Sequence, residues 1–499
     1  MPKRSPPFIL RTLVVATALC VGSPAVLADS IVPDELLRPQ GLQPNLIATV
    51  NGLVMKGKFD EALQQVHDAQ KDEPSNVALI ELEGAVNLAK KDLAKARANY
   101  LRALAMTETP RKAKAMFGLA SVAAASGNDA EFLSWLEKAA KDDPALPQPK
   151  VELVRYHLAH RDVAKALVVA QDLANTYPDS VLALDTLGSA QLASGQNEAA
   201  VRTYTKLASL RPDDAQSHYR RAVALDAAGD YGRASGVLKR ALEAKPDFLE
   251  AKILLSSVEL RAGHLAEAQR IAKEIQTAEP KLGSGWQLEG DVQMAQKNYP
   301  AAQQAYLKAL SMGQTGLLVV KYSRSLAAGG KAREASALGE RWLAEHPADV
   351  GVRLWVAASY GAQGRHREAI AQYERVVQED RLNADAFNDL AWLYEQQKDR
   401  RALPTAEQAW KLKPDSAQIA DTLGWILVEQ GETQRGVDLL SQAARLAPND
   451  NGIRYHLGAG YARLGNNDRA REELKNALAK DTKFPARADA EALLAKLPR

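Results

Sequence analysis

The sequence predicts an all-α repeat array, and three observations predict it. Prolines recur at one interval: Pro110, Pro144, Pro178, Pro212, Pro246 and Pro280 are each 34 residues apart, and Pro414 and Pro448 resume the spacing. Twelve residues before each proline or its equivalent, fourteen for Ala96 and Pro110, stands an alanine, at Ala62, Ala96, Ala166, Ala200, Ala234, Ala268, Ala302, Ala335, Ala369, Ala402 and Ala470, with Phe132 and Gly436 in that frame elsewhere. Five residues before those positions comes a glycine in most copies: Gly57, Gly127, Gly195, Gly229, Gly263, Gly330, Gly364, Gly431 and Gly465. A period in this range marks stacked helical pairs, each too small to bury its own apolar face without neighbours.

Each element follows from those markers. Glycine takes the left-handed conformation at no steric cost, so it closes the first helix of a pair, and proline closes the second. Thirteen units fit between about Leu46 and Thr482, each helix, turn, helix, turn. Hydrophobic residues make 46% of the chain, charged residues 25% and aromatic residues only 6%, which suits a folded protein with a small-residue, alanine-rich interior.

The N-terminus reads as a separate object. Lys3, Arg4 and Arg11 precede an apolar run from Leu13 to Val21, and small residues lead to Ala28, the layout of a secretory signal cut between Ala28 and Asp29. The run is too short for a permanent transmembrane helix. Cys20, the only cysteine, lies inside this segment, so the exported chain would hold no disulfide or thiolate metal site. Cys20 could instead carry a lipid, but Leu19 before it is larger than the small residue such processing usually requires. Removing the three basic residues of the segment leaves 61 basic against 61 acidic side chains, without the basic excess of a nucleic-acid binder. The expected organisation is signal 1–28, linker 29–45, repeat array 46–482 and capping helix 483–499, where Pro485 opens a helix with Ala488, Leu493, Leu494 and Leu497 on its apolar side.

The frame resembles the tetratricopeptide repeat, and in "ADTLGWILVEQGETQRGVDLLSQAARLAP" the likeness runs from Leu423-Gly424 through Ala443 to Pro448. The resemblance covers nearly the whole expected mature chain and implies a right-handed superhelical solenoid whose concave groove is lined by first helices. Units seven, nine and ten depart from it, with Ser256, Ser323 and Ala357 at the small-glycine position of the first helix. In unit twelve Ala420, Leu423, Gly424 and Leu427 share one buried face. Trp425, about 100° further round, must point elsewhere.

The resemblance places Asn388, Trp392 and Glu395 of unit eleven, Asp421, Trp425 and Val428 of unit twelve, and Tyr455, Ala459 and Ala462 of unit thirteen toward the groove. Each triplet is spaced i, i+4, i+7 and keeps to one helical face. Two tryptophans in register on helices about 8–10 Å apart make a short aromatic ladder for an extended peptide or a sugar face. The competing expectation is that these rings fill gaps between helices. Earlier groove positions, Glu81, Asp185, Tyr219, Gln287, Asp291 and Arg324, suggest a long, weakly selective surface.

The sequence carries no catalytic signature. His157 and His160 are three apart but lack an acidic third ligand at a characteristic spacing, and the simplest reading is two solvated turn histidines. No zinc-protease helix, phosphate loop or nucleophile elbow occurs, so no cofactor or metal is expected. "KKDLAKARA" and "AREELKNALAK" alternate charge at helical spacing, as exposed faces do.

A narrower resemblance lies near the C-terminus. "LAWLYEQ", "ADTLGWILVEQGETQRGVDLL", "IRYHLG" and "FPARADAEALL" are similar to the tetratricopeptide proteins associated with exosortase and PEP-CTERM sorting in Gram-negative bacteria. It covers about a fifth of the chain and implies a role in exopolysaccharide export or surface-protein sorting. The combined expectation is an exported, periplasmic, non-enzymatic scaffold with a protein or peptide partner, or a polysaccharide one. The alternative is a periplasmic holding chaperone for extended peptides.

Overall fold

The computed structural model describes residues 36–37, 41–106, 112–479 and 484–498. The predicted signal and its Cys20, and Pro110, lie outside them. Among the described residues there are 27 helices and no strand, the all-α class that the sequence predicts. They fall into two compact units, divided in sequence between Gly263 and His264. Numbering the pairs from the N-terminus, the first unit holds pairs 1 to 6, from Pro44 to Ala244, and the helix Leu249–Arg261. The second holds Leu265–Ala278, pairs 8 to 13 from Ser284 to Leu478, and a closing helix Arg487–Lys496.

The helix ends fall where the markers put them. All nine marker glycines have positive φ, between 69° and 92°. In four pairs the same turn is made without glycine, by Lys91, Arg161, Lys297 and Lys398 at φ 55° to 65°. Second helices end two residues before proline, as Thr176 precedes Pro178 and Leu446 precedes Pro448.

The alanine frame is where the helices of a pair cross. All eleven marker alanines are completely buried. In pairs 2, 5, 8, 12 and 13 a Tyr or Leu one turn further along the second helix presses on the glycine of the first. A Cβ at Gly188 would lie 2.5 Å from the Tyr204 ring, and one at Gly290 2.4 Å from the Tyr306 ring. In pair 12 backbone meets backbone, because glycine occurs on both helices. A Cβ at Gly424 would lie 2.9 Å from the Gly436 carbonyl oxygen, and one at Gly436 2.6 Å from the Gly424 carbonyl oxygen. Gly424 costs about 1 kcal/mol of helix propensity against alanine, and the close approach of two backbones is what it permits.

Candidate functional site

Pairs 11 to 13 carry the aromatic row. Their first helices, Ala384–Gln396, Ala417–Glu429 and Asn451–Arg463, begin at Asn383, Ser416 and Asp450, whose side chains accept from backbone N–H groups of the first turn. Those caps fix the start of each helix and hence which side chains share its inner face.

The structure brings the expected residues together, but not as an open ladder. Trp425 is 9% exposed, and Asn388, Glu395, Asp421, Val428, Tyr455 and Ala459 are buried as well. Trp392 is half-buried and belongs to the same apolar cluster as Trp425, Val428, Leu440 and Leu457. The physical reason is a stack that the sequence reading missed. The Trp425 indole lies on the His456 imidazole with ring centres 4.6 Å apart and planes 23° from parallel, and Tyr455 closes in at 6.4 Å.

His456 is held in place by a buried hydrogen bond to a carboxylate. Its Nδ1 donates to Asp421 Oδ1 at 2.7 Å, and both side chains are 4% exposed. Arg463 sits over the indole at 5.7 Å while its Nη1 donates to the Val428 carbonyl at 2.8 Å, and it pairs with Glu429 at 2.5 Å. The closing helix completes the cover: Ala486, Ala490, Leu493 and Leu494 share a cluster with Tyr455, and Leu493 also joins the Trp425 cluster. Burial, with the charges of Asp489 and Glu429, pushes the Tyr455 phenol up. Of the expected contact set, only Trp392 and Ala462 are half-buried rather than buried.

The inner faces of pairs 5 and 6 are half-open instead. Asp185, Tyr219, Val223 and Asp226 are each half-buried. Their acids pair with the next first helix, Asp185 with Arg220 at 3.1 Å and Asp226 with Arg261 at 2.5 Å. The Asp421–His456 bond has the same form. All three join an acid to a base 35 residues on, one repeat plus one position, and that interval is the sequence signal that would have found His456. In the second unit Asp291 is half-buried too, bound by Lys321 at 2.6 Å and by the Tyr306 hydroxyl at 2.7 Å. Burial and the Asp291 charge raise that phenol well above its ordinary value.

Of the two neighbouring histidines, only His157 differs from expectation. His160 is exposed and stacks on Tyr156, ring centres 4.0 Å apart, but His157 is buried inside its helix, and that desolvation pushes its imidazole down. Among the described residues no group of three metal-ligating side chains converges, and no helix is long and apolar enough to cross a membrane.

Two family models described as tetratricopeptide repeat match the chain, one at residues 48–109, 88–147, 186–247 and 357–399 and the other at 227–289. The chain carries tetratricopeptide repeats. Neither matching model is a catalytic one, and the fold is a scaffold suited to protein–protein interaction. Similar solved structures share 15–16% identity with it. The Cut9-Hcn1 hetero-tetramer of APC/C covers 94% of this chain and 99% of its own at TM-score 0.43, and yeast Tom70 85% and 96% at 0.47. A tetratricopeptide repeat protein from Parabacteroides merdae covers 50% of this chain and 98% of its own at 0.44. No curated protein matches the chain.

Proposed function

We propose that the chain is an exported, non-enzymatic scaffold of the periplasm that holds an extended protein segment along its first helices, in exopolysaccharide export or exosortase-linked envelope assembly. The observation that carries the binding mode is the half-open inner face of pairs 5 and 6, where Tyr219 and Val223 lie between the ion pairs of Asp185 and Asp226. Apolar surface flanked by fixed charge suits a peptide whose side chains alternate between the two. Export rests on the basic, apolar and small-residue pattern of residues 1–28. The envelope role rests on the C-terminal resemblance.

The holding-chaperone reading has one observation in its favour. Half-buried inner positions recur within the second unit at Gln287, Asp291, Met294, Arg324 and Leu354, whereas the row in pairs 11 to 13 is covered. Photo-crosslinking residues at Val223, Met294 and Trp392, followed by mass spectrometry of envelope extracts, separate the two. One recurrent partner captured at Val223 supports the scaffold, many unrelated chains at all three positions support the chaperone, and capture at none of them overturns both. Fractionation tests export, which requires a periplasmic chain beginning at Asp29.

A further inference from the structure

The first helix of pair 6, Ala215–Ala227, carries charge where comparable pairs are balanced or apolar. Four residues before the small position of the first helix, pairs 4, 10 and 13 hold a base, and each has an acid on the second helix of its own pair. Lys150 meets Asp172 at 2.6 Å, Arg454 meets Glu473 at 2.6 Å, and Arg353 meets Glu379 at 3.7 Å. Pair 6 has His218 in that place, and Arg240 stands two repeat periods beyond Asp172, where pair 4 has its acid. Three residues after His218 comes Arg221, whose counterparts in those pairs are Leu153, Val356 and Leu457. A self-neutralising, apolar arrangement has become a cluster of three bases.

These bases line one cavity of about 640 Å³, walled also by Thr205 and Ser209 of the second helix of pair 5. Neither Arg221 nor Arg240 makes an ion pair among the described residues. The Arg221 Nε is buried without a hydrogen-bond partner, and so is His218 Nδ1, while His218 Nε2 lies 2.7 Å from the Pro212 carbonyl oxygen. Burial, with the charges of Arg240 and Arg233, pushes the Arg221 guanidinium down. Arg233 is already occupied by Asp230 at 2.5 Å. Glu243 and Asp213 also line the cavity, both exposed, and pair with neither arginine. The Thr205 and Ser209 hydroxyls donate to the carbonyls of Val201 and Lys206, each at 2.7 Å, so recognition falls to the bases.

A buried donor without an acceptor is costly, and two unpaired guanidiniums at one cavity compound the cost by repulsion. An oxyanion with several acceptor oxygens relieves both, and guanidinium forks match phosphate geometry. We propose that this cavity binds a phosphate group, seated between Arg221 and Arg240 with His218 lining the same wall. The cavity has room for more than the phosphate itself, which points to a small phosphate monoester.

Calorimetric titration of the purified protein with O-phosphoserine and with inorganic phosphate tests this, serine serving as the control. Saturable binding of phosphoserine, tighter than that of free phosphate, is expected, with none of serine. Equal affinity for both assigns the site to free phosphate and keeps the proposal. Arg240→Asp, which restores the balance of pair 4, and Arg221→Leu, which restores its Leu153, should each weaken binding at least tenfold. Arg221→Leu should also raise the melting midpoint of the unliganded protein. Circular dichroism checks the fold, and exposed Arg240 decides the matter if Arg221→Leu is not folded. Absence of saturable binding by either phosphate, or unchanged affinity in a folded Arg240→Asp variant, overturns the proposal.

Discussion

The inner faces of pairs 12 and 13 and of pairs 5 and 6 use the same frame, the same first-helix length and the same acid-to-base link across 35 residues, yet one is sealed and the other half-open. The difference lies in what covers the link. Asp421 and His456 lie under Trp425, Tyr455 and the apolar residues of the closing helix, whereas Asp185 and Arg220 keep 35% and 37% of their side chains in solvent. One sequence pattern therefore yields a core element in one place and a surface ion pair in another, and burial decides the energetics.

The largest effect expected from this comparison is at His456. His456→Ala removes a buried partner of Asp421 and one face of the Trp425 stack, and should cost about 3 kcal/mol, as broken buried pairs do; chemical denaturation with hydrogen exchange on pairs 12 and 13 measures it. Gly424→Val follows, at about 2 kcal/mol, because a side chain there meets the Gly436 backbone and Leu440. A melting midpoint unchanged by Gly424→Val would remove the case for the glycine crossing. Lys297→Gly should stabilise by roughly 0.5–1 kcal/mol, since it relieves a left-handed lysine but adds freedom to the unfolded chain. Arg220→Ala, the open counterpart of His456→Ala, should cost only about 0.5 kcal/mol and lose even that in high salt. Equal losses at Arg220 and His456 would break the comparison.

The architecture was legible because its markers are backbone requirements. Proline, alanine and glycine recur where a helix must end or two helices must touch, and those demands act within one repeat. The turns at Lys91, Arg161, Lys297 and Lys398 were not legible, since nothing distinguishes a lysine held at positive φ by its neighbours from an ordinary one. The aromatic row was half legible. Spacing put Trp392 and Trp425 on inner faces, but whether a ring there meets solvent depends on His456, one repeat away, and on a closing helix over 60 residues further along. Burial of that kind is a tertiary property. The bases of pair 6 were visible individually but carried meaning only once Lys150 and Asp172 were seen to touch.

Val223 and Ala459 occupy the same frame position, in pairs 6 and 13, and test the central claim directly. In a Cys20→Ala background the chain has no other thiol, so Val223→Cys and Ala459→Cys each report one inner face through their rate of maleimide labelling. The account predicts that the thiol at 223 reacts at least a hundredfold faster than the one at 459 under native conditions, with the two rates converging in denaturant. Equal native rates, or faster labelling at 459, would contradict it.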